Sequence, residues 1–458
     1  MGGSYKRWSA TRLTKTLVVL VVVLFCAAAL HGQTPSPTPP SSITSSAVNP
    51  LTLDEALRLA NAQASTYQSA MLNERIAGED VRQAQAAFLP KVSVPLNYIY
   101  TSPAIGLPTG EPRTQSFIAN NAISEYEALA NVTGDFDVAG KLRATLAKNR
   151  ALLAAAHAGT EVARRALAQA VIEAFYGLAL TAAQHRAAEE NLAAAEEFEH
   201  ITALLLSGGE VAQVDLTRAQ LQTLERRNEL ESSRVNEDVA ASSLRVLIGY
   251  DFERPLTTTE LALALPADSE YQQFKADEVT RRPEFTQLEQ QLRAARQEIK
   301  IARAERLPSL TYSINGGFDT DSLRGPRLKE HTGISAQVGL TIPIFDWGAT
   351  RSKERQANLR VQIAENERTI AVKGFTQQFY AARSQASSAA TRVALAREGV
   401  TKAQDNLTAS VARYRAGEAQ IVEVTDAQTT LVTQRSALYQ AIFDYQIALS
   451  RLRQATGQ

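Results

Sequence analysis

Cysteine is all but missing: Cys26 is the only one in 458 residues. It lies inside an apolar N-terminal segment, so no disulfide and no thiol chemistry is expected beyond that segment. Net charge is missing as well, because 48 basic residues balance 48 acidic ones. That removes the basic footprint a nucleic-acid partner requires. Histidine is scarce, and His157, His185, His200 and His331 stand at spacings that suit no metal site. A Walker loop and a dinucleotide fingerprint are absent too, and the many Asp and Glu decorate mixed-charge helix faces. No catalytic, cofactor-binding or metal-ligating residue is assigned, and the chain is not expected to be an enzyme.

Proline is missing from two long tracts. None falls between Pro112 and Pro255, and none after Pro343. Proline removes a helical hydrogen bond and clashes with the preceding turn, so both tracts are free to be long helices. The hydrophobic fraction is 45% but aromatics are only 6%, and alanine fills much of the difference. Alanine with Glu, Gln, Arg and Leu favours long, closely packed helices over a thick mixed core.

The N-terminus indicates export. Lys6, Arg7, Arg12 and Lys15 precede an uncharged apolar run from Leu17 to Leu30, with small residues at Ala27, Ala28 and Ala29. Residues 1–32 therefore read as a secretory signal peptide, the run falling short of the roughly 20 residues a spanning helix needs. Phe25 before Cys26 argues against lipid anchoring. Residues 33–50, rich in Pro, Ser and Thr, form a leader. No later stretch reads as a transmembrane helix, which leaves a periplasmic, secreted or outer-membrane β-barrel protein.

Heptad spacing organises the last tract. Ala386, Val393, Val400, Leu407 and Tyr414 recur every seven residues, with Ala389, Ala396, Ala403 and Ser410 between them. A second seam runs through Val424, Leu431, Leu438, Tyr445 and Leu452. Arg415-Ala-Gly-Glu-Ala419 breaks the register between them, predicting an antiparallel helical hairpin with its tip near Gly417. Its first helix, from about Trp347 to Tyr414, would be on the order of 100 Å long.

The hairpin occurs twice. An offset carrying Gly209-Glu210 onto Gly417-Glu418 also carries Val214 onto Val422, Thr217 onto Thr425, Ala219-Gln220 onto Ala427-Gln428, and Gly249 onto Gly457. Upstream, Leu89-Pro90 pairs with Leu307-Pro308, and Phe136-Asp137-Val-Ala-Gly140 with Phe345-Asp346-Trp-Gly348. A tandem duplication follows. Residues 51–265 make one repeat, with a strand pair at about 90–136 and a tip near 209. Residues 266–458 make the other, with a strand pair at about 308–345 and a tip near 417.

The strands alternate. Ile334, Ala336, Val338, Leu340, Ile342 and Ile344 face one way, and Ser335, Gln337, Gly339, Thr341 and Pro343 the other, over about the length of an outer-membrane strand. Val92, Val94, Leu96, Tyr98 and Tyr100 repeat the pattern; Leu310, Tyr312 and Ile314 shorten it; the stretch from Tyr126 to Phe136 shows it least. Four strands cannot close a barrel, since the smallest single-chain barrels use about 8, and open edges are not tolerated in lipid. Several copies must share one barrel.

With these motifs in order, the chain resembles the TolC-like outer membrane efflux proteins. Leu340-Thr-Ile-Pro-Ile-Phe-Asp-Trp-Gly348 is similar to their strand-closing motif, and Leu51-Thr-Leu-Asp-Glu-Ala-Leu-Arg-Leu-Ala60 to the usual opening of the mature chain. Leu205 to Gln220 and Tyr414 to Gln428 resemble the two tip motifs. The resemblance implies a mainly α fold with a small β part. Long coiled-coil hairpins would form a periplasmic α-barrel, and four strands per chain would enter a roughly 12-stranded outer-membrane barrel in a homotrimer. It implies a periplasmic adaptor and an inner-membrane pump as partners, outer-membrane lipid around the strands, and no cofactor.

The same resemblance assigns site residues. Glu423 and Asp426 match acidic positions at the periplasmic constriction, and their i, i+3 spacing sets both on one helix face. Asp215 and Tyr414 match a closing contact between one hairpin and the next. An arginine that joins this network in some members is Ala419 here. Gly209, Glu210, Gly417 and Glu418 mark the tips an adaptor would grip, while Ile334, Val338, Leu340, Ile342 and Ile344 form the lipid face. Two other classes fit parts of the pattern: a soluble periplasmic coiled-coil adaptor, which would lack lipid-facing strands, and an autonomous porin, which would need many more strands in one chain.

Overall fold

Duplication of a strand-pair-plus-hairpin unit is the organising feature of the chain, seen in a computed structural model that describes residues 50–102, 124–261 and 266–458. The signal peptide at 1–32, Cys26, nearly all of the leader and the loop at 103–123 lie outside the described residues. From Pro50 onward the chain forms one unit. Helices α1 (Leu53–Ala62) and α2 (Thr66–Ala86) lead into strands β1 (Lys91–Ser93), β2 (Leu96–Tyr100) and β3 (Ser124–Phe136). The long helix α3 (Lys141–Ser207) and its return α4 (Gln213–Ile248) follow. The second repeat begins with α5 (Asp268–Gln272), a 3₁₀ turn at Ala276–Arg281 and α6 (Pro283–Ala304). Next come β4 (Ser309–Thr320), the short α7 (Gly325–Glu330) and β5 (Thr332–Thr341). Helices α8 (Ala349–Arg415) and α9 (Ile421–Ala455) complete it.

Both α3 and α8 are 67 residues long, on the order of 100 Å of helix each. Each is started by an aspartate. The Asp137 carboxylate accepts from the backbone N–H groups of Leu142 (2.9 Å) and Arg143 (3.0 Å) and from Arg143 Nε (2.9 Å). Asp346 accepts from the N–H groups of Gly348 (3.0 Å) and Thr350 (2.8 Å) and from the Thr350 hydroxyl. Helix N-termini leave donors unpaired, so these carboxylates satisfy groups that would otherwise go without partners. The helix starts are tied together through α6: Glu305 accepts from Lys141 (3.3 Å) and Lys353 (2.8 Å), and Glu298 from Lys148 (2.7 Å) and Arg360 (3.1 Å). Positive-φ glycines mark the repeat, at 140, 209 and 249 in the first half and 348, 417 and 457 in the second.

The heptad seams are the packed faces. Ala386, Ala389, Val393, Ala403, Ser410, Tyr414, Val424, Leu431, Tyr445 and Leu452 are buried. Small residues on α8 let α9 approach closely, and a Cβ at Gly399 would meet Gln434. One core joins Phe379, Ala386 and Val393 to Tyr445 and Leu452, and is closed by Tyr271, Phe274 and Val279 from the start of the second repeat. Its counterpart joins Leu167, Val171, Phe175 and Leu178 to Leu244, Ile248, Ala56 and Leu51. Leu51 is anchored to the end of the first repeat, through its N–H to Thr257 O at 2.7 Å.

Helix α3 departs from expectation in one respect. It contains an 18-residue window of mean hydropathy 1.5, long and apolar enough by composition to cross a membrane. Its apolar residues Leu167, Val171, Phe175 and Leu178 are instead buried against other helices, and α3 packs on α1, α2, α4, α6 and α9. Of that window, 39% is buried within the chain itself.

The sheet is antiparallel throughout. β1 and β2 both pair with β3 in one register, Ser93 opposite Asn131 and Leu96 opposite Ala128; β3 pairs with β4, and β4 with β5. Two details differ from the expected pattern. The first strand is interrupted at Val94-Pro95, where proline offers no N–H to the ladder. The last strand ends at Thr341, so Ile342 and Ile344, expected on its lipid face, lie beyond it beside Pro343. They remain 56% and 93% exposed.

Candidate functional site

Two surfaces stand out, the outer face of the sheet and the paired helical tips. On β5, Ile334, Val338 and Leu340 are 84%, 68% and 60% exposed. Val92, Leu96, Tyr98 and Tyr100 on the opposite edge strand are also exposed. Burying one large aliphatic side chain is worth about 1.5–3 kcal/mol. Ile334, Val338, Leu340, Ile342 and Ile344 together thus forgo on the order of 10 kcal/mol in water, comparable to the whole stability of a domain. Both edges of the sheet, β1/β2 and β5, carry unpaired backbone groups.

The tips are built alike. At the first, the Gly208, Gly209 and Glu210 N–H groups donate to Leu204, Leu206 and Leu205 carbonyls at 3.1, 2.9 and 2.9 Å. At the second, Ala416, Gly417 and Glu418 donate to Ala412, Tyr414 and Arg413 carbonyls at 3.2, 3.0 and 2.9 Å. Gly209 and Gly417 hold φ at +78° and +72°, the left-handed turn that closes such a helix end. A Cβ on either would meet nothing within 4 Å, so backbone conformation alone demands glycine. The chain then re-enters helix through Ala212 and Gln420, both at φ −84° and ψ 154°.

The two tips pack against one another. Phe198 and Ala219 of the first hairpin, with Leu205 and Val211 partly covered, meet Tyr414, Ile421 and Val424 of the second. The Tyr414 ring lies 5.4 Å from that of Phe198, and the residue is only 6% exposed. Its hydroxyl is buried without a hydrogen-bond partner. The Thr202 hydroxyl beside it donates to Phe198 O at 2.9 Å. Burial pushes the Tyr414 phenol above its usual value; contact with Thr202 opposes this, and the Asp215 charge adds to it. Asp215, the matching partner from the sequence, turns instead to its own helix, where Oδ2 accepts from the Ala212 N–H at 3.4 Å. Above the tips, Gln222 Nε2 donates to Gln428 Oε1 at 2.7 Å and joins α4 to α9.

Glu423 and Asp426 both lie on the exposed face of the first turns of α9. They are not equivalent. Arg413 donates through Nη1 to Glu423 Oε2 at 2.9 Å and through Nη2 to the Glu418 carbonyl at 3.3 Å. Glu210 and Glu418 stand exposed at the ends of their hairpins. Phe198, Gln222 and Arg413 escaped the sequence analysis. Phe198 alone had a signal there, as an aromatic on the same helix as the first tip. Among the described residues no group of three or more His, Cys, Asp or Glu could hold a metal ion.

Comparison with known proteins places this architecture. Residues 56–250 and 277–458 match the family profile described as outer membrane efflux protein. The chain is 26% identical over 270 residues to the outer membrane efflux protein BepC of Brucella suis, covering 59% of this chain and 58% of that one. It is 23% identical to the pyoverdine export outer membrane protein OpmQ of Pseudomonas aeruginosa, covering 86% and 83%. Among solved structures, the outer membrane protein VceC of Vibrio cholerae shares the fold at a TM-score of 0.75 and 20% identity, over 88% of this chain and 96% of that one.

Proposed function

The chain belongs to the outer membrane efflux protein family, and from that footing we propose that it is the exit duct of a tripartite efflux or type I secretion assembly. It is an outer-membrane protein with a large periplasmic portion. Its family consists of channels and not enzymes. In the proposed assembly, three copies pool four strands each into one barrel and six hairpins into a periplasmic tunnel. An inner-membrane pump supplies the energy, and a periplasmic adaptor grips the tips around Gly209, Glu210, Gly417 and Glu418. The duct conducts passively and is gated where the hairpins converge, with Tyr414 and Asp215 as closing residues and Glu423 and Asp426 at the constriction.

One observation carries this proposal: a five-stranded sheet, with β1 and β2 end to end along β3, has an uncovered apolar face and two open edges and is joined to a pair of 67-residue helices. In lipid, open edges are prohibitive, so the sheet needs copies of itself. Carbonate washing of membranes followed by detergent extraction tests it. The chain should stay with the membrane and leave in detergent as a trimer. Release by carbonate, or a water-soluble monomer, would mean a periplasmic scaffold instead.

A further inference from the structure

The two tips share a backbone but not their side-chain chemistry, and this bears on the gate. Under the repeat offset, Leu205 occupies the place of Arg413, and Asp215 that of Glu423. Leu205 packs partly buried in the tip core, and Asp215 closes back on Ala212 N–H. In the second tip, Arg413 spans the glycine turn. Its guanidinium binds the Glu423 carboxylate of the following helix and the Glu418 carbonyl at the end of the loop. The first tip is thus held by apolar packing and a local cap, the second by an ionic clamp as well. Ala419 brings no charge to the loop.

We propose that Arg413 is a positioning residue of the gate, clamping the second tip within one chain and neutralising Glu423 so that Asp426 is the uncompensated carboxylate of the constriction. This rests on the exit-duct function above. The planar guanidinium suits the task because it donates in two directions at once, and a lysine would reach only one acceptor well. The pair is about half exposed, 53% at Arg413 and 44% at Glu423, so each clamp is modest and screened by salt. Three act together around a threefold axis.

The test uses the full-length protein in planar bilayers, reading closed-state conductance and the K⁺/Cl⁻ permeability ratio from reversal potentials in a KCl gradient. Arg413→Gln should raise the conductance at least about threefold, because each half-exposed ion pair lost is worth roughly 1.4- to 5-fold and the losses in three chains multiply. The exchange Arg413→Glu with Glu423→Arg keeps the ion pair and the net charge but gives up the bond to the Glu418 carbonyl, and should reverse part of the rise in conductance. Asp426→Asn should lower the permeability ratio on the order of threefold. Arg413→Gln with Glu423→Gln removes a pair of zero net charge and should shift that ratio much less than Asp426→Asn does. Failure of the exchange to rescue conductance, or a double variant that lowers the ratio as Asp426→Asn does, overturns the proposal. If instead Asp426→Asn and Tyr414→Ala both leave the channel unchanged, the constriction is not at these tips and the gated-duct function falls with it.

Discussion

Replacing Tyr414 by phenylalanine should tighten the closed tips, whereas replacing it by alanine should loosen them. Tyr414 is 6% exposed, packs its ring on Phe198, and buries a hydroxyl that has no hydrogen-bond partner. A buried hydroxyl left unpaired costs about 1–3 kcal/mol. Phenylalanine keeps the ring and removes that cost, so about 1 kcal/mol of extra stability is expected, roughly a fivefold fall in the open population. Alanine deletes the ring from the contact with Phe198, Ile421 and Val424, and an aromatic-to-alanine change in a core costs about 3–5 kcal/mol. Single-channel recording in planar bilayers reads both, because open-state occupancy follows the tip equilibrium. A closing hydrogen bond from Tyr414 to Asp215 predicts a different outcome, with phenylalanine opening the channel as far as alanine does. That result would refute the packing argument.

The helix starts should be acid-sensitive. Burial raises the Asp137 carboxyl, but the hydrogen bonds from the Arg143 and Leu142 N–H groups and the Arg143 guanidinium outweigh it and hold the carboxyl below its usual range. A depressed carboxylate contributes stability that is complete above the unfolded value of about 3.9 and is lost as pH falls through the folded one. Thermal unfolding in detergent should therefore weaken below about pH 4, and Asp137→Asn should cost about 1 kcal/mol at neutral pH while flattening that dependence. Gly317→Ala should abolish the detergent-resistant trimer, because its Cβ would lie 1.9 Å from the Ala128 carbonyl oxygen between β3 and β4; trimer on a mild gel checks it. Gly417→Ala should cost only about 1 kcal/mol, since nothing crowds the site and only the positive φ resists, which differential scanning of the purified protein can measure.

The helical hairpins were legible because their signals are periodic and local. The spacing from Ala386 to Tyr414 and from Val424 to Leu452 maps onto buried faces without a slip, and the glycines at 209 and 417 close the turns. The strands were legible as alternation, but alternation does not register backbone donors, so it ran through Pro95 and past Pro343 where the ladder stops. On α3 an apolar window arises from side chains such as Leu167 and Phe175 that pack against other helices. At the tips, sequence located Tyr414, Asp215, Glu423 and Asp426 but not their partners. Arg413 meets Glu423, ten positions on, only because a left-handed glycine turn folds the intervening residues back on themselves. Phe198 meets Tyr414 across two separate hairpins.

The pairing of β3 with β4 sets an order of events during biogenesis. Each hairpin brings near neighbours in sequence together and can zip locally, α3 with α4 and α8 with α9. The sheet cannot, since Phe136 must wait for Leu310, which is made only after the whole first hairpin and α6 have emerged. Contacts between such distant segments form slowly. The nascent protein therefore carries finished rods and an unfinished, greasy sheet for as long as synthesis and export take. Escorting that sheet, rather than the rods, is the problem any assembly helper of this protein has to solve.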